Sequence, residues 1–309
     1  METTSERIAV VFPGQGSQAI GMADPWTGHP AGRAALEDAS EAMGEDVVAG
    51  CRDEARLAAT DFVQPALLAC DVAALGVLRS GGVRIYGVAG HSLGEFAALV
   101  AAEVLTLAEA LAVVVARGRA MRRAGEERPG AMAALLGIDG DGAAALCDEA
   151  RDGDVLVVAN ENSPVQSVIS GSIPAIERAE ALAAGRRVRA VRLNVAGAFH
   201  SPLMEPAVGP ILEALEPVPV RDPAIPVAEN VAGATVEDGE RLRDLLGRHV
   251  VSPVRWVGCV GALARAGATA FVEAGPGDVL TKLARRIDPD ARALAVGSPE
   301  AAQAISSPP

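Results

Sequence analysis

Residues 87–97 read GVAGHSLGEFA and place Ser92 in a G-x-S-x-G motif between an apolar run and a series of good helix formers. A residue at a sharp strand-to-helix corner needs neighbours without Cβ atoms, and Gly90 and Gly94 provide that room. The following helix would present unpaired N–H groups to the hydroxyl, which favours developing negative charge there. An N-cap, the alternative role, needs no glycine on both sides. The spacing therefore predicts a serine nucleophile.

A serine hydroxyl needs a base within hydrogen-bond reach, and the chain contains four histidines. His91 leaves the elbow in a different direction from Ser92 and is interpreted as a wall of the site, while His29 lies in a Pro/Gly-rich loop. His200, in AGAFHSP between a strand and a proline-initiated helix, is the favoured base. A purely structural histidine is the alternative. No carboxylate stands out, so we expect a backbone carbonyl to orient the base.

Acyl chemistry at a serine also needs donors for the oxyanion. The elbow offers the main-chain N–H of Leu93, and a second donor is expected from a loop after a neighbouring strand. The segment PGQGSQ follows the first apolar run and places Gln15 between two glycines that let the backbone approach a ligand. A simple Gly-rich turn is the alternative interpretation of this segment.

Arg117 lies towards the end of the apolar helical pattern TLAEALAVVVARGRAM, where an arginine is rarely buried without a partner. It could form a structural salt bridge or extend to solvent. It could instead bind a substrate carboxylate, because a guanidinium group binds carboxylates bidentately and keeps its charge. The pattern alone leaves both possibilities open.

Composition narrows the class of protein. Of 309 residues, 50% are hydrophobic but only 3% are aromatic, so the core must consist of Ala, Val and Leu. The net charge of −13 argues against nucleic acid as a partner. Four cysteines without metal-ligand spacing are expected to be reduced and structural. No signal peptide or membrane-spanning segment is visible, which favours a cytoplasmic location without membrane attachment.

The elements that would position these residues alternate between strands and helices. Strands are predicted at 8–12 and 85–90. Helices are predicted near 31–43, near 64–80, from the elbow to about 103, and from about 107 to 123. Pro65 is expected at the N-terminus of the second helix. Such alternation predicts a mostly parallel sheet covered by helices on both faces.

The alternation of predicted strands and helices changes near residue 129, after the polar stretch GEERPG. The following segments predict the order βαββαβ, which is typical of a ferredoxin-like unit. We therefore predict an inserted ferredoxin-like subdomain at 129–196 within a discontinuous large domain formed by 1–128 and 197–300. A turn and helix, GPGDVLTKLARRI, are the last elements predicted, and 301–309 is expected to be a flexible tail.

Eight motifs then carry a family resemblance. In chain order they are GQGSQ, FVQPALLA, GHSLGE, ARGRAM, NENSPVQSVISG, AFHSPLM, SPVRW and VEAGPGDVLTKL. This series resembles malonyl-CoA:acyl carrier protein transacylases and the acyltransferase domains of polyketide synthases, over residues 8–287. The resemblance implies an α/β fold in which an α/β-hydrolase-like large domain carries an inserted ferredoxin-like small subdomain.

The resemblance also implies residue roles. Ser92 would be the acylated nucleophile and His200 its base, with the main-chain N–H groups of Gln15 and Leu93 as the oxyanion hole. Arg117 would bind the carboxylate of the extender unit. Phe199 resembles the bulky residue of malonyl-selecting members, where methylmalonyl types typically carry serine. His249 stands where many relatives have Gln, and its backbone carbonyl would orient the base.

The implied reaction is ping-pong transfer of malonyl from malonyl-CoA through Ser92 to the phosphopantetheine thiol of an acyl carrier protein, for polyketide or fatty-acid synthesis. We expect no metal and no bound cofactor, and a monomer that acts in trans. The alternatives are a thioester hydrolase that clears stalled acyl groups from carrier proteins, and an inactive carrier-binding scaffold. Arg117 argues against the hydrolase, because uncharged acyl groups give no use for its charge.

Carrier proteins are usually acidic, so local basic patches are candidate docking sites. One is GRRVRAVR at 185–192, with Arg187 and Arg189, and the other is KLARRI at 282–287, with Lys282, Arg285 and Arg286. Ordinary solvated side chains are the alternative interpretation of both patches.

Overall fold

The computed structural model describes residues 6–306, and within that range the strands form two separate sheets. The strands are β1 (Ile8–Phe12), β2 (Ile85–Gly90), β3 (Ala131–Leu136), β4 (Leu156–Ser163), β5 (Gln166–Gly171), β6 (Arg189–Arg192), β7 (Val227–Glu229), β8 (Ala234–Val236), β9 (Ala270–Ala274) and β10 (Arg292–Val296). A sheet of mostly parallel strands is joined to a small antiparallel sheet. The predicted mixed α/β architecture is confirmed.

Helices cover both sheets. The α-helices are α1 (Pro30–Met43), α2 (Val47–Gly50), α3 (Glu54–Ala58), α4 (Thr60–Ser80), α5 (Gly94–Ala101), α6 (Leu107–Glu127), α7 (Gly140–Ala150), α8 (Ile173–Gly185), α9 (Val208–Leu215), α10 (Gly239–Arg248), α11 (Trp256–Ala266), α12 (Val279–Ile287) and α13 (Pro299–Ser306). Short 3₁₀ helices occupy Asp24–Trp26, Pro202–Ala207 and His249–Val251.

The larger sheet has the strand order β10-β9-β1-β2-β7-β8, with β8 antiparallel to β7 and the other pairs parallel. At its centre, Val10 of β1 lies opposite Val88 of β2 and Val272 of β9. Because helices cover both faces, these strands are apolar along their length rather than alternating. The loops after β1 and β2 therefore emerge side by side at the carboxyl end of the sheet, where open α/β sheets form their sites.

The smaller sheet comprises β3 to β6 in the order β4-β5-β3-β6, and each neighbouring pair is antiparallel. Its side chains point alternately to the two faces of the sheet, as strand geometry requires. Leu135 and Ile169 pack against α7 and α8, whereas Met132 and Val168 belong to a cluster that includes Phe199. This βαββαβ unit lies within the predicted 129–196 insertion, whose boundaries, like those of the flanking large-domain segments, stay a prediction.

The helix α4 begins earlier than predicted. It starts at Thr60 rather than near residue 64, so Pro65 lies inside the helix instead of at its N-terminus. Burial of Phe62 and Val63 stabilises the additional turn. Among residues 6–306, α4 is the one helix long and apolar enough to cross a membrane, but most of it is buried between α1 and α6, as in the core of a globular protein.

The C-terminal segment corrects two expectations. The chain continues after α12 into β10, which extends the parallel sheet beyond the predicted last element. Residues 301–306, expected to be part of a flexible tail, belong to α13, where Ala302 is 1% exposed and Ile305 packs against the core. Apolar residues spaced three apart give this short helix a face that it can bury. Residues 307–309 lie outside the described range.

Candidate active site

Ser92 occupies the corner between β2 and α5 with a φ angle of 51°, in the left-handed region that non-glycine residues rarely adopt. The corner is crowded: a Cβ atom on Gly90 would lie 1.9 Å from the Gly94 carbonyl carbon, and one on Gly94 would lie 2.1 Å from the Phe12 carbonyl oxygen. Both glycines are therefore required by close approach of the backbone. This sharp turn projects the Ser92 side chain into a cavity rather than into the sheet.

His200 meets Ser92 in the cavity. Its Nε2 lies 2.8 Å from Ser92 Oγ, and its Nδ1 lies 3.1 Å from the His249 carbonyl oxygen and 3.0 Å from that of Ser252. Two carbonyl acceptors require a proton on Nδ1, which leaves Nε2 as the acceptor for the serine hydroxyl. Two carbonyl groups thus orient the imidazole, that of His249, which was expected, and that of Ser252, which the sequence did not indicate.

Burial governs the charge of the His200 imidazole. His200 is 3% exposed, and desolvation, followed by the positive charge of Arg117 and by His91, lowers its pKa to about 3. The imidazole is therefore neutral at physiological pH and able to accept a proton. His91 also lines the cavity, and burial lowers its pKa as well.

Arg117 lies on the floor of the same cavity and is only 1% exposed. Its Nη1 donates to Gln64 Oε1 at 2.6 Å and its Nη2 donates to Ser92 Oγ at 3.2 Å. Burial lowers the pKa of the guanidinium to about 10, so it remains a cation at neutral pH. Within residues 6–306 it forms no salt bridge, so a buried positive charge lies beside the Ser92 hydroxyl.

The loop after β1 lies against the elbow. A Cβ atom on Gly14 would be 2.3 Å from the His91 carbonyl oxygen and 3.6 Å from the main-chain nitrogen of Leu93, so glycine permits this approach. Gln15 and Leu93 both line the cavity. Neither residue's main-chain N–H donates to a backbone or side-chain acceptor within the described range. Two free N–H groups from adjacent loops can bind one oxyanion.

The cavity has a volume of about 170 Å³, and its remaining wall is largely apolar. Phe199, which directly precedes the base, is 6% exposed and contributes its ring to this wall. The other apolar lining residues are Met121, Met132, Val168, Leu193, Val195, Val279, Leu280 and Leu283. Most of them come from the small sheet, the segment after β6 or α12, so the cavity lies where these parts meet the elbow.

Sequence reasoning missed several polar residues around this cavity. Gln64, in the FVQPALLA motif, orients Arg117, and its own Nε2 lies 3.3 Å from Met121 Sδ. Asn162 Oδ1 lies 2.8 Å from His91 Nε2, and Asn160 also lines the cavity. These residues stand out in the sequence as polar side chains in the FVQP and NENSP segments. The sequence does not show, however, which hydrogen-bond partners they have in the folded protein.

The predicted docking residues occupy two different places. Arg187 and Arg189 are exposed, and their side chains form no hydrogen bond or ion pair with any described residue. Lys282, on α12, pairs with Asp278 at 2.7 Å. On the same helix, Arg286 donates to Gln166 at 3.0 Å and Arg285 donates to the Ala293 carbonyl at 2.7 Å.

A serine hydrogen-bonded to a buried histidine, two free main-chain donors and a buried cation lie together in one cavity, and such a set of groups can support acyl transfer through a serine ester. Residues 9–293 match the family described as "Acyl transferase domain", and the chain belongs to that family. The resemblance inferred from the eight motifs is confirmed.

Individual similar proteins have a more specific name than the family does. The chain is 41% identical over 303 residues to the malonyl CoA-acyl carrier protein transacylase of Escherichia coli K12, covering 96% of this chain and 97% of that protein. It is 40% identical over 300 residues to that of Haemophilus influenzae, covering 94% and 95%.

Solved structures agree with these relatives. The acyl-carrier-protein S-malonyltransferase of Burkholderia pseudomallei 1710b superposes with a TM-score of 0.92 at 39% identity, covering 97% of this chain and 99% of that one. A malonyl-transacylase in complex with its type II polyketide synthase acyl carrier protein superposes with a TM-score of 0.92 at 36% identity, covering 96% and 98%.

Proposed function

We propose that this protein is a malonyl-CoA:acyl carrier protein S-malonyltransferase that works through an ester on Ser92. The main support for this proposal is the position of Arg117. Its side chain is a cation that is only 1% exposed, and its Nη2 lies 3.2 Å from Ser92 Oγ. No described carboxylate lies within salt-bridge distance of this buried cation, and the nearby buried Glu95 offsets only part of the cost of burying it, so a ligand carboxylate would stabilise it. The free carboxylate of a malonyl thioester supplies that partner and fixes the thioester carbonyl beside the nucleophile.

The first half-reaction follows from the positions of the groups. Ser92 Oγ attacks the thioester carbonyl carbon while His200 Nε2 takes the hydroxyl proton, and the N–H groups of Gln15 and Leu93 stabilise the oxyanion. Collapse of the tetrahedral intermediate breaks the carbon–sulfur bond. His200 returns the proton to the departing CoA sulfur, which leaves malonyl on Ser92 and a neutral imidazole.

The second half-reaction runs in reverse with a new thiol. The phosphopantetheine thiol of the carrier protein gives its proton to His200 and attacks the malonyl ester, and Ser92 leaves as the protonated hydroxyl. Water must not compete for the ester, and the apolar wall around Phe199 and Met132 limits its access. Phe199 also leaves little space for a substituent on the α-carbon, which favours malonyl over larger extender units.

The proposal is tested by intact-mass measurement after brief exposure to an equimolar mixture of acetyl-, malonyl-, methylmalonyl- and ethylmalonyl-CoA. We expect a malonyl adduct that is absent from Ser92→Ala. Adding a phosphopantetheinylated carrier protein should then move the malonyl group to the carrier. Loss of the adduct to water without a carrier would favour a thioester hydrolase, and an acetyl adduct alone would contradict the role of Arg117.

The two basic patches differ as docking sites for the carrier. Val279 and Leu283, four residues apart on one face of α12, line the cavity, and Lys282 and Arg286 flank that face. Arg189 lies four residues before the cavity-lining Leu193, which is about 13 Å along an extended strand. The α12 patch is therefore the better placed of the two to receive an acidic carrier protein at the cavity mouth.

Charge reversal compares the patches directly. Lys282→Glu with Arg286→Glu should lower carrier-dependent kcat/KM about tenfold or more, because electrostatic steering of the carrier is lost. Acylation by malonyl-CoA in the absence of carrier should be unaffected. Arg187→Glu with Arg189→Glu is the matched control and should have the smaller effect. A carrier KM unchanged in both double variants would exclude both patches from docking.

A further inference from the structure

Asn230 contacts the elbow from the end of the neighbouring strand, β7. Its Oδ1 accepts the Ser92 main-chain N–H at 2.7 Å, and its Nδ2 donates to the Gly90 carbonyl at 2.7 Å. A reversed carboxamide would place donor against donor and acceptor against acceptor, so these two bonds fix the orientation of the side chain. One buried carboxamide thus bridges the two sides of the corner that carries the nucleophile.

The corner needs such support. Ser92 has a φ of 51°, and a non-glycine residue keeps this conformation only when its surroundings hold it there. The Asn230 bonds engage the residue before the corner and the residue at its tip. They fix the path of the chain into Ser92 and, through the following peptide, the direction of the N–H of Leu93, a residue that lines the cavity.

Asn230 is itself held in place. Its main-chain N–H donates to Glu95 Oε2 at 2.9 Å, and Glu95 is fully buried on α5, directly after the elbow. The imidazole of His249 lies beside it, with Nε2 3.5 Å from Asn230 Oδ1. The carbonyl of the same His249 accepts from His200 Nδ1 at 3.1 Å. The supports of the nucleophile and of its base therefore meet in one buried cluster.

We propose that Asn230 is a positioning residue that fixes Ser92 Oγ and the Leu93 N–H in their reactive geometry. The inference rests on the proposed function only in taking Ser92 as the nucleophile. Asn230 does not line the cavity. Its loss should therefore lower kcat with malonyl-CoA and leave KM almost unchanged, the pattern of a defect in the reacting geometry rather than in substrate binding.

The test uses a fluorophosphonate reagent, which reports on the elbow without requiring a carboxylate on the ligand. Ser92 Oγ forms a bond to phosphorus, fluoride leaves, and His200 accepts the hydroxyl proton. Asn230→Ala should slow labelling about 10- to 100-fold, because a shift of the nucleophile of about 1 Å has effects of this size. Val227→Ala, a truncation at a fully buried β7 residue, is the control for general destabilisation.

Each outcome decides a separate question. Labelling of Asn230→Ala within about twofold of the unmodified protein, or no slower than that of Val227→Ala, would overturn the inference. Should Asn230→Ala not fold, Asn230→Asp keeps an acceptor for the Ser92 N–H but replaces the donor to Gly90 with a second carboxylate oxygen, which repels the Gly90 carbonyl. It should label more slowly than the unmodified protein, and an unchanged rate would also overturn the inference. An unmodified protein that labels but takes no malonyl would refute the proposed function alone.

Discussion

The floor and the wall of the cavity are built in opposite ways. On the floor, Ser92, His200, Arg117 and Gln64 are joined by hydrogen bonds of 2.6 to 3.2 Å. The wall, typified by Phe199, is formed mainly by apolar side chains that are held by packing rather than by hydrogen bonds. The floor comes from loops and helices around the parallel sheet, and much of the wall comes from the small sheet and the segment after it.

This difference separates chemistry and charge recognition, which depend on the floor, from selection by size, which depends on the wall. A hydrogen-bonded floor fixes reacting atoms to within fractions of an ångström, so a change there should lower the rate for every substrate that uses it. An apolar wall discriminates by size, and one methyl group changes binding by only about 1–3 kcal/mol. Substitutions on the floor should therefore have larger effects than substitutions in the wall.

The largest effect is expected from Arg117→Ala. It removes the proposed partner of the substrate carboxylate and should lower kcat/KM for malonyl-CoA roughly 100- to 1,000-fold, because charge-assisted bonds contribute most of that recognition. Acetyl-CoA, which has no carboxylate, should lose little. Competitive acylation followed by mass measurement gives the ratio directly.

Arg122→Ala is the matched control for this change. Arg122 lies on the same helix, α6, but is half exposed and pairs with Asp61 and Glu126. Loss of the Arg122 side chain should leave kcat/KM for both malonyl-CoA and acetyl-CoA unchanged. Equal loss of acetyl and malonyl transfer in Arg117→Ala would mean that this arginine supports the floor without binding the carboxylate.

A smaller effect is expected from Phe199→Ser in the wall. Removal of the ring opens space near the α-carbon and should raise the methylmalonyl-to-malonyl ratio of kcat/KM by about 10- to 100-fold. Phe199→Leu should give an intermediate ratio. The same truncation should destabilise the protein by about 3 kcal/mol, which urea unfolding measures. A ratio unchanged in both variants would remove Phe199 from selectivity.

The smallest effect on rate is expected from His249→Gln, since the carbonyl that accepts from His200 is retained. We expect kcat within about threefold of the original. The acid dependence of stability should change instead. Burial, followed by the charge of Arg117, lowers the pKa of His249 well below its ordinary value of 6.5, so the unfolded chain binds a proton that the folded protein excludes.

The sign of this effect follows from that difference. His249 contributes stability that is present above pH 6.5 and is lost as the pH falls below this value. His249→Gln should therefore lose less unfolding free energy between pH 7.5 and 5.5 than the original chain, as measured by urea unfolding at both values. His29→Gln, at a half-buried histidine remote from the cavity, serves as control. An identical pH dependence in all three proteins would contradict the assignment.

Much of the site could be predicted because its residues are local to recognisable turns. Ser92 and its glycines lie within five consecutive residues, and the strand, corner and helix around them have clear sequence signals. Asn230 could not be predicted in this way, since it lies 138 residues from Ser92 and reaches it only through the pairing of β7 with β2. The α13 helix was not predicted because its apolar face is small and is stabilised by packing against α4, which is distant in the sequence.

The sequence by itself determined the chemistry available to this protein: a serine at a glycine-flanked corner, a histidine before a proline, and an arginine in an apolar helix. These are properties of residue type and short-range spacing. Only the tertiary structure decided that Arg117 is buried with no salt bridge to a described residue, that two carbonyls hold His200, and that Asn230 bridges the elbow. Burial and hydrogen-bond partners depend on residues distant in the chain, and the packing of the two sheets brings them together.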